Sequence, residues 1–142
     1  MGIKTVINGP DGYTPDGRCL MGPVPGQSGL HVLAGFSMGS VMSYAMALSG
    51  DRPAVAGILA FSGFIPTVDG WQPSFADRRS TRAFIAHGSR DSIIEVGFAQ
   101  RARELVEAAG LDVTYRESEI GHQIDPSALA DATVWLDETL PA

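Results

Sequence analysis

The chain has 142 residues, enough for one domain with a buried core and short for many enzyme folds. Hydrophobic residues make up 44 % and charged residues 18 %, and no apolar run is long enough to span a bilayer, so neither disorder nor membrane insertion is expected, and one soluble domain over 1–142 is. The formal charge of -6, with ten scattered Lys and Arg and no basic cluster, sets the chain against binding nucleic acid.

The first predicted element is a strand from Ile3 to Ile7. The opening MGIKTVINGP lacks the charged and long apolar segments of a secretion signal, so a cytoplasmic location is expected. From Pro10 to Gly29 the stretches GPDGYTPDG and GPVPGQSG crowd Gly and Pro together and predict a long loop. Within it lies the lone cysteine, Cys19, which has no internal disulfide partner; no Cys/His pair has metal-ligand spacing, so no metal is expected.

Beyond the loop, short apolar runs alternate with stretches of helical period, the pattern of strand, helix, strand crossovers and hence of an α/β fold. Strands are predicted at His31 to Gly35, Val55 to Phe61, Ala83 to His87 and Val113 to Glu117. A helix from Ser37 to about Leu48 is stopped by Gly50 and Pro53, and its Met38, Met42 and Met46 fall at helical spacing, usually a core stripe. A second helix from about Glu95 to Ala109 sets Phe98, Ala102, Leu105, Val106 and Ala109 on one face before Gly110. The last is capped by Asp125, has Pro126 in its first turn and presents Leu129, Ala132, Leu136 and Leu140. Between Gly63 and Arg79 the connection is too long for a tight turn. It carries Phe64, Ile65, Trp71 and Phe75, which suit either an apolar lid or acyl wall or a loop packed on the domain.

Chemistry in such a sheet collects beyond the carboxyl ends of the strands. Gly35-Phe36-Ser37-Met38-Gly39 places a serine in a G-x-S-x-G turn between a strand and a helix. A tight turn of this kind needs neighbours without side chains, and it leaves the Met38 N–H, an orphan donor of the helix start, able to hold an oxyanion. A serine hydroxyl needs an imidazole to take its proton and an acid to fix that imidazole's tautomer. Asp91, in HGSRD, and His122, in EIGHQI, each follow a later strand and supply both. Asp51, Glu95, Glu117, Glu119 and Asp125 are other carboxylates near loops or strand ends, and Asp91 also suits a helix cap. His87 competes for the base role but suits a structural hydrogen bond; His31 reads as structural, and Ser62 as a turn or pocket residue.

GFSMGS, HGSRD with IIEV after it, and GHQI before the final helix together resemble the phospholipase/carboxylesterase group of α/β-hydrolases, small serine esterases related to acyl-protein thioesterases. The resemblance runs from about Leu33 to Leu140. It implies a three-layer α/β-hydrolase-like fold with a mostly parallel sheet of about five strands, reduced on the N-terminal side. It also implies Ser37 as nucleophile, His122 as general base and then acid, and Asp91 as the orienting carboxylate, with no cofactor. The expected activity is a serine carboxylesterase on small-molecule, short-chain acyl esters, with thioesterase or lysophospholipase activity as the neighbouring reading. Phe64, Ile65 and Trp71 are the expected substrate-binding residues. Members of this group usually have further N-terminal strands, a His-Gly loop giving the second oxyanion donor and a helix before the nucleophile strand. Here only Ile3 to Ile7 and the Gly/Pro-rich loop precede His31, as in a minimal version of the fold or a fragment. Asp11 or Gly12 is then the candidate second donor, since Pro10 has no N–H. A sheet begun so late exposes an edge, so self-association is expected. The reading from a different class is a non-catalytic interaction module.

Overall fold

A computed structural model describes residues 20–23 and 31–140. In chain order the elements are β1 (Leu20–Pro23), β2 (His31–Phe36), α1 (Met38–Ala47), β3 (Gly57–Phe61), β4 (Arg82–Gly88), α2 (Val96–Ala108), β5 (Asp112–Ser118) and α3 (Pro126–Thr139). The strands form one sheet in the order β1-β2-β3-β4-β5. Strands β2 to β5 run parallel, and β1 lies antiparallel against β2.

Two-residue alternation along the central strands builds the three layers. Ile58 and Ala60 of β3 and Ala83 and Ile85 of β4 face α1 and α2, which contribute Tyr44, Ala47, Ala99, Ala102 and Val106. Leu59, Phe61, Phe84 and Ala86 face the other way, onto Ala128, Ala132 and Trp135 of α3. Both faces are covered, so these strands read as continuous apolar runs. Trp135 meets Phe84 edge-on at 5.9 Å, and the Arg82 guanidinium lies 5.7 Å from the Trp135 ring.

The strand expected at Ile3 to Ile7 lies outside the described residues. Leu20–Pro23, inside the stretch expected to be loop, is a strand, and its proline is tolerated because β1 pairs on one side only among the described residues. The helices also turn differently from their apolar period. On α2 the buried residues are Ala99, Ala102 and Val106, while Phe98 is 50 % and Leu105 39 % exposed. On α3 they are Ala128, Ala132, Trp135 and Thr139, with Leu129 exposed. Small side chains let a helix lie close on a sheet, so alanine rather than leucine marks the inner face. Met38 and Met42 are likewise exposed, and only Met46 of the methionine stripe packs against the core.

The connection from β3 to β4 packs on the body of the domain. Ile65 is buried in the core, with Trp71 and Phe75 against it. Arg78, also buried, fastens this segment to the end of α1. Its Nε donates to the Ala47 carbonyl at 2.9 Å, and one terminal nitrogen donates to the carbonyls of Ser49 at 2.8 Å and Arg52 at 2.7 Å. A cation thus meets the negative end of the helix that starts at the serine turn.

Candidate active site

Ser37 stands between β2 and α1 with φ 53° and ψ -118°, a left-handed φ that costs a non-glycine residue about 1–3 kcal/mol. Surrounding bonds hold it there. Its N–H donates to the Phe61 carbonyl at the end of β3 at 2.8 Å, and its carbonyl accepts from the Ser40 and Val41 amides at 3.0 and 3.3 Å. The buried Ser40 hydroxyl shares its proton between the carbonyls of Gly35 at 2.5 Å and Phe61 at 2.7 Å. A Cβ on Gly35 would come within 2.2 Å of the Gly39 carbonyl carbon, so the turn requires glycine there. The crowding expected at both glycines is confined to the first, because a Cβ on Gly39 meets nothing within 4 Å among the described residues. Met38 is the first residue of α1, and its N–H is one of the helix's orphan donors.

Asp91 sits in the turn after β4 with its side chain fully buried. Oδ1 accepts from the Ile93 and Ile94 amides, both at 2.9 Å, and Oδ2 accepts from His122 Nδ1 at 2.7 Å. Burial raises the carboxyl's pKa, but the hydrogen bonds from Ile94, His122 and Ile93, with the charge of His122, outweigh burial and hold it below its ordinary range. Of the carboxylates left open by the sequence, Asp91 is the one paired with His122, while Asp125 caps α3 by accepting from the Ser127 amide.

His122 lies in the loop between β5 and α3. That loop is stitched to the Asp91 turn by Ser89 N–H to the Ser118 carbonyl at 2.7 Å and Arg90 N–H to the Ile120 carbonyl at 3.0 Å. Such close approach needs a bare Cα, since a Cβ on Gly88 would fall 2.3 Å from the Gly121 carbonyl oxygen. Because the ionised Asp91 only accepts, Nδ1 of His122 carries the hydrogen and Nε2 is left for another partner. The ring rests against Phe36 with centroids 4.8 Å apart, which sets the imidazole beside the residue preceding Ser37.

The structure joins Asp91 to His122 directly and sets the His122 ring against Phe36, the residue before Ser37. Asp11 and Gly12 lie outside the described residues. Phe64 meets Phe98 with tilted rings 5.5 Å apart, Ile65 is in the core and Trp71 packs on that core. Ser62 is buried at the end of β3 with φ 51°, its N–H bonded to the Ala86 carbonyl at 2.9 Å. Sequence reasoning missed Phe36, Ser40 and the Ile93 and Ile94 amides. Phe36 and Ser40 were visible as part of GFSMGS; backbone donors leave no trace in residue identity.

The phospholipase/carboxylesterase family profile matches residues 27–140. Acyl-protein thioesterase 1 of Emericella nidulans is 30 % identical over 115 residues, covering 78 % of this chain and 48 % of that protein. The crystal structure of the Bacillus cereus carboxylesterase superposes with a TM-score of 0.66 at 26 % identity, over 77 % of this chain and 50 % of that one. Acyl-protein thioesterase 2 of Zea mays shares the fold with a TM-score of 0.61 at 20 % identity, over 73 % and 53 %. The chain spans about half the length of the curated relatives it matches. With a G-x-S-x-G turn, an Asp91–His122 pair and an α/β sheet that superposes on this group, the chain belongs to the phospholipase/carboxylesterase family of α/β-hydrolases.

Proposed function

We propose that the chain is a serine carboxylesterase acting on short-chain acyl esters through Ser37, His122 and Asp91. The observation that carries this reading is the 2.7 Å hydrogen bond from His122 Nδ1 to buried Asp91, beside a serine held at a left-handed φ. In the first half-reaction Ser37 Oγ attacks the ester carbonyl carbon while its proton passes to His122 Nε2. The imidazolium so formed is stabilised by Asp91, and the carbonyl oxygen, now an oxyanion, lies toward the Met38 N–H. Collapse expels the alcohol, which takes the proton from His122, and leaves Ser37 acylated. Water then attacks the acyl carbon, giving its proton to His122, and the acid departs as Ser37 recovers the proton. The second oxyanion donor proposed, Asp11 or Gly12, lies outside the described residues.

A thioesterase reading draws support from relatives named acyl-protein thioesterases, because the same serine chemistry cleaves a thioester. Hydrolysis of p-nitrophenyl esters of graded chain length, alongside matched thioesters, separates the two. Wild type is expected to turn over short esters, and Ser37→Ala to lose activity by at least about 10³-fold. Equal rates for the two proteins would overturn the assignment.

A further inference from the structure

His87 ends β4 four residues before Asp91, and its side chain is 0 % exposed, which removes it from competition for the base role. One of its nitrogens is engaged twice. Nε2 lies 2.7 Å from the Ile94 carbonyl oxygen and 3.4 Å from Asp91 Oδ2. A carbonyl only accepts, so Nε2 carries the hydrogen and donates. Nδ1, equally buried, has no hydrogen-bond partner among the described residues. A side chain that merely filled this space would do better as an apolar group of similar size, since a buried unpaired nitrogen is unfavourable.

The Nε2 hydrogen bond closes a small circuit. Asp91 Oδ1 accepts from the Ile94 amide at 2.9 Å, while His87 holds the carbonyl of the same residue. Ile94 is thus fixed at both its backbone groups, and Asp91 Oδ2 lies 3.4 Å from His87 Nε2 and 2.7 Å from His122 Nδ1. We propose that His87 is a positioning residue whose Nε2–H fixes the Asp91 turn, so that Oδ2 stays aimed at His122 Nδ1. The inference rests on the esterase reading above for its catalytic consequence, but the hydrogen bond it governs can be observed separately.

The test compares wild type with His87→Phe, which keeps a ring and loses the donor, and with His87→Gln, whose amide nitrogen lies about where Nε2 does. Two readouts are taken: kcat and KM for a short p-nitrophenyl ester, and the downfield proton resonance of the His122–Asp91 hydrogen bond. His87→Phe is expected to lower kcat by about 10- to 100-fold with KM unchanged, the signature of misplaced catalytic groups, and to shift or abolish the resonance. His87→Gln should restore both. If His87→Phe does not fold, His87→Asn, whose shorter amide does not reach the Ile94 carbonyl, takes its place. Unchanged kcat and resonance in the donor-less variant would overturn the proposal. Should wild type turn over no ester, the esterase reading falls and the resonance alone decides. Its loss in His87→Phe with return in His87→Gln supports the positioning role, and the same behaviour in all three, present or absent, rejects it.

Discussion

At the Asp91 carboxylate, burial and hydrogen bonding act in opposite senses, and the bonds win. Its pKa is therefore lower in the folded chain than in the unfolded one, where a carboxyl titrates near about 3.9. The unfolded chain binds that proton more readily, so Asp91 stabilises the fold fully above the unfolded value and loses this contribution as pH falls through the folded one. Thermal melts of wild type and Asp91→Asn between pH 7 and pH 3 check this. The gap between the two should stay constant at neutral pH and narrow in the acid range; a constant gap throughout would contradict it. The residue scale also shows what the sequence hides. Ser37, Asp91 and His122 stand out in the sequence as candidates because their side-chain chemistry marks them, and of these the structure pairs Asp91 with His122. The fixing of Asp91 by the Ile93 and Ile94 amides, and of Ser37 by the Phe61 carbonyl, leaves no such mark, because any residue supplies those groups.

At the scale of elements, α1 links the candidate nucleophile to the body of the domain. Its first residue follows Ser37, and its last carbonyl, that of Ala47, accepts from Arg78 of the β3–β4 connection, as does that of Ser49 just beyond the helix. Arg78→Ala leaves three buried or partly buried carbonyls short of a donor and is expected to destabilise by about 2–3 kcal/mol. For a domain of this size that lowers Tm by roughly 5–10 °C, measurable by calorimetry. Arg78→Lys should recover little, because one ammonium cannot span the fork of acceptors. A Tm unchanged in Arg78→Ala would show that the bonds contribute nothing net. Element order and type were largely readable from periodicity. Helix orientation was less so: Phe98 and Leu105 completed the apolar stripe on α2, yet close packing on the sheet selected Ala99 and Ala102. β1 was concealed because Leu20–Pro23 sits amid turn formers, and its strand state comes from pairing with β2 rather than from local preference.

For the molecule as a whole, a sheet covered on both faces, two loops stitched at Gly88 and Gly121, and a strained serine turn converge at the carboxyl ends of β2, β4 and β5. On the proposed reading, this convergence makes Ser37 a nucleophile activated by His122. Reaction with a fluorophosphonate probe, followed by mass spectrometry of the labelled peptide, tests that claim without requiring the natural substrate. Wild type is expected to label at Ser37, Ser37→Ala not at all, and His122→Ala at a rate at least about 10²-fold lower. A folded wild type that does not label, or one labelled at the same rate without His122, would contradict it.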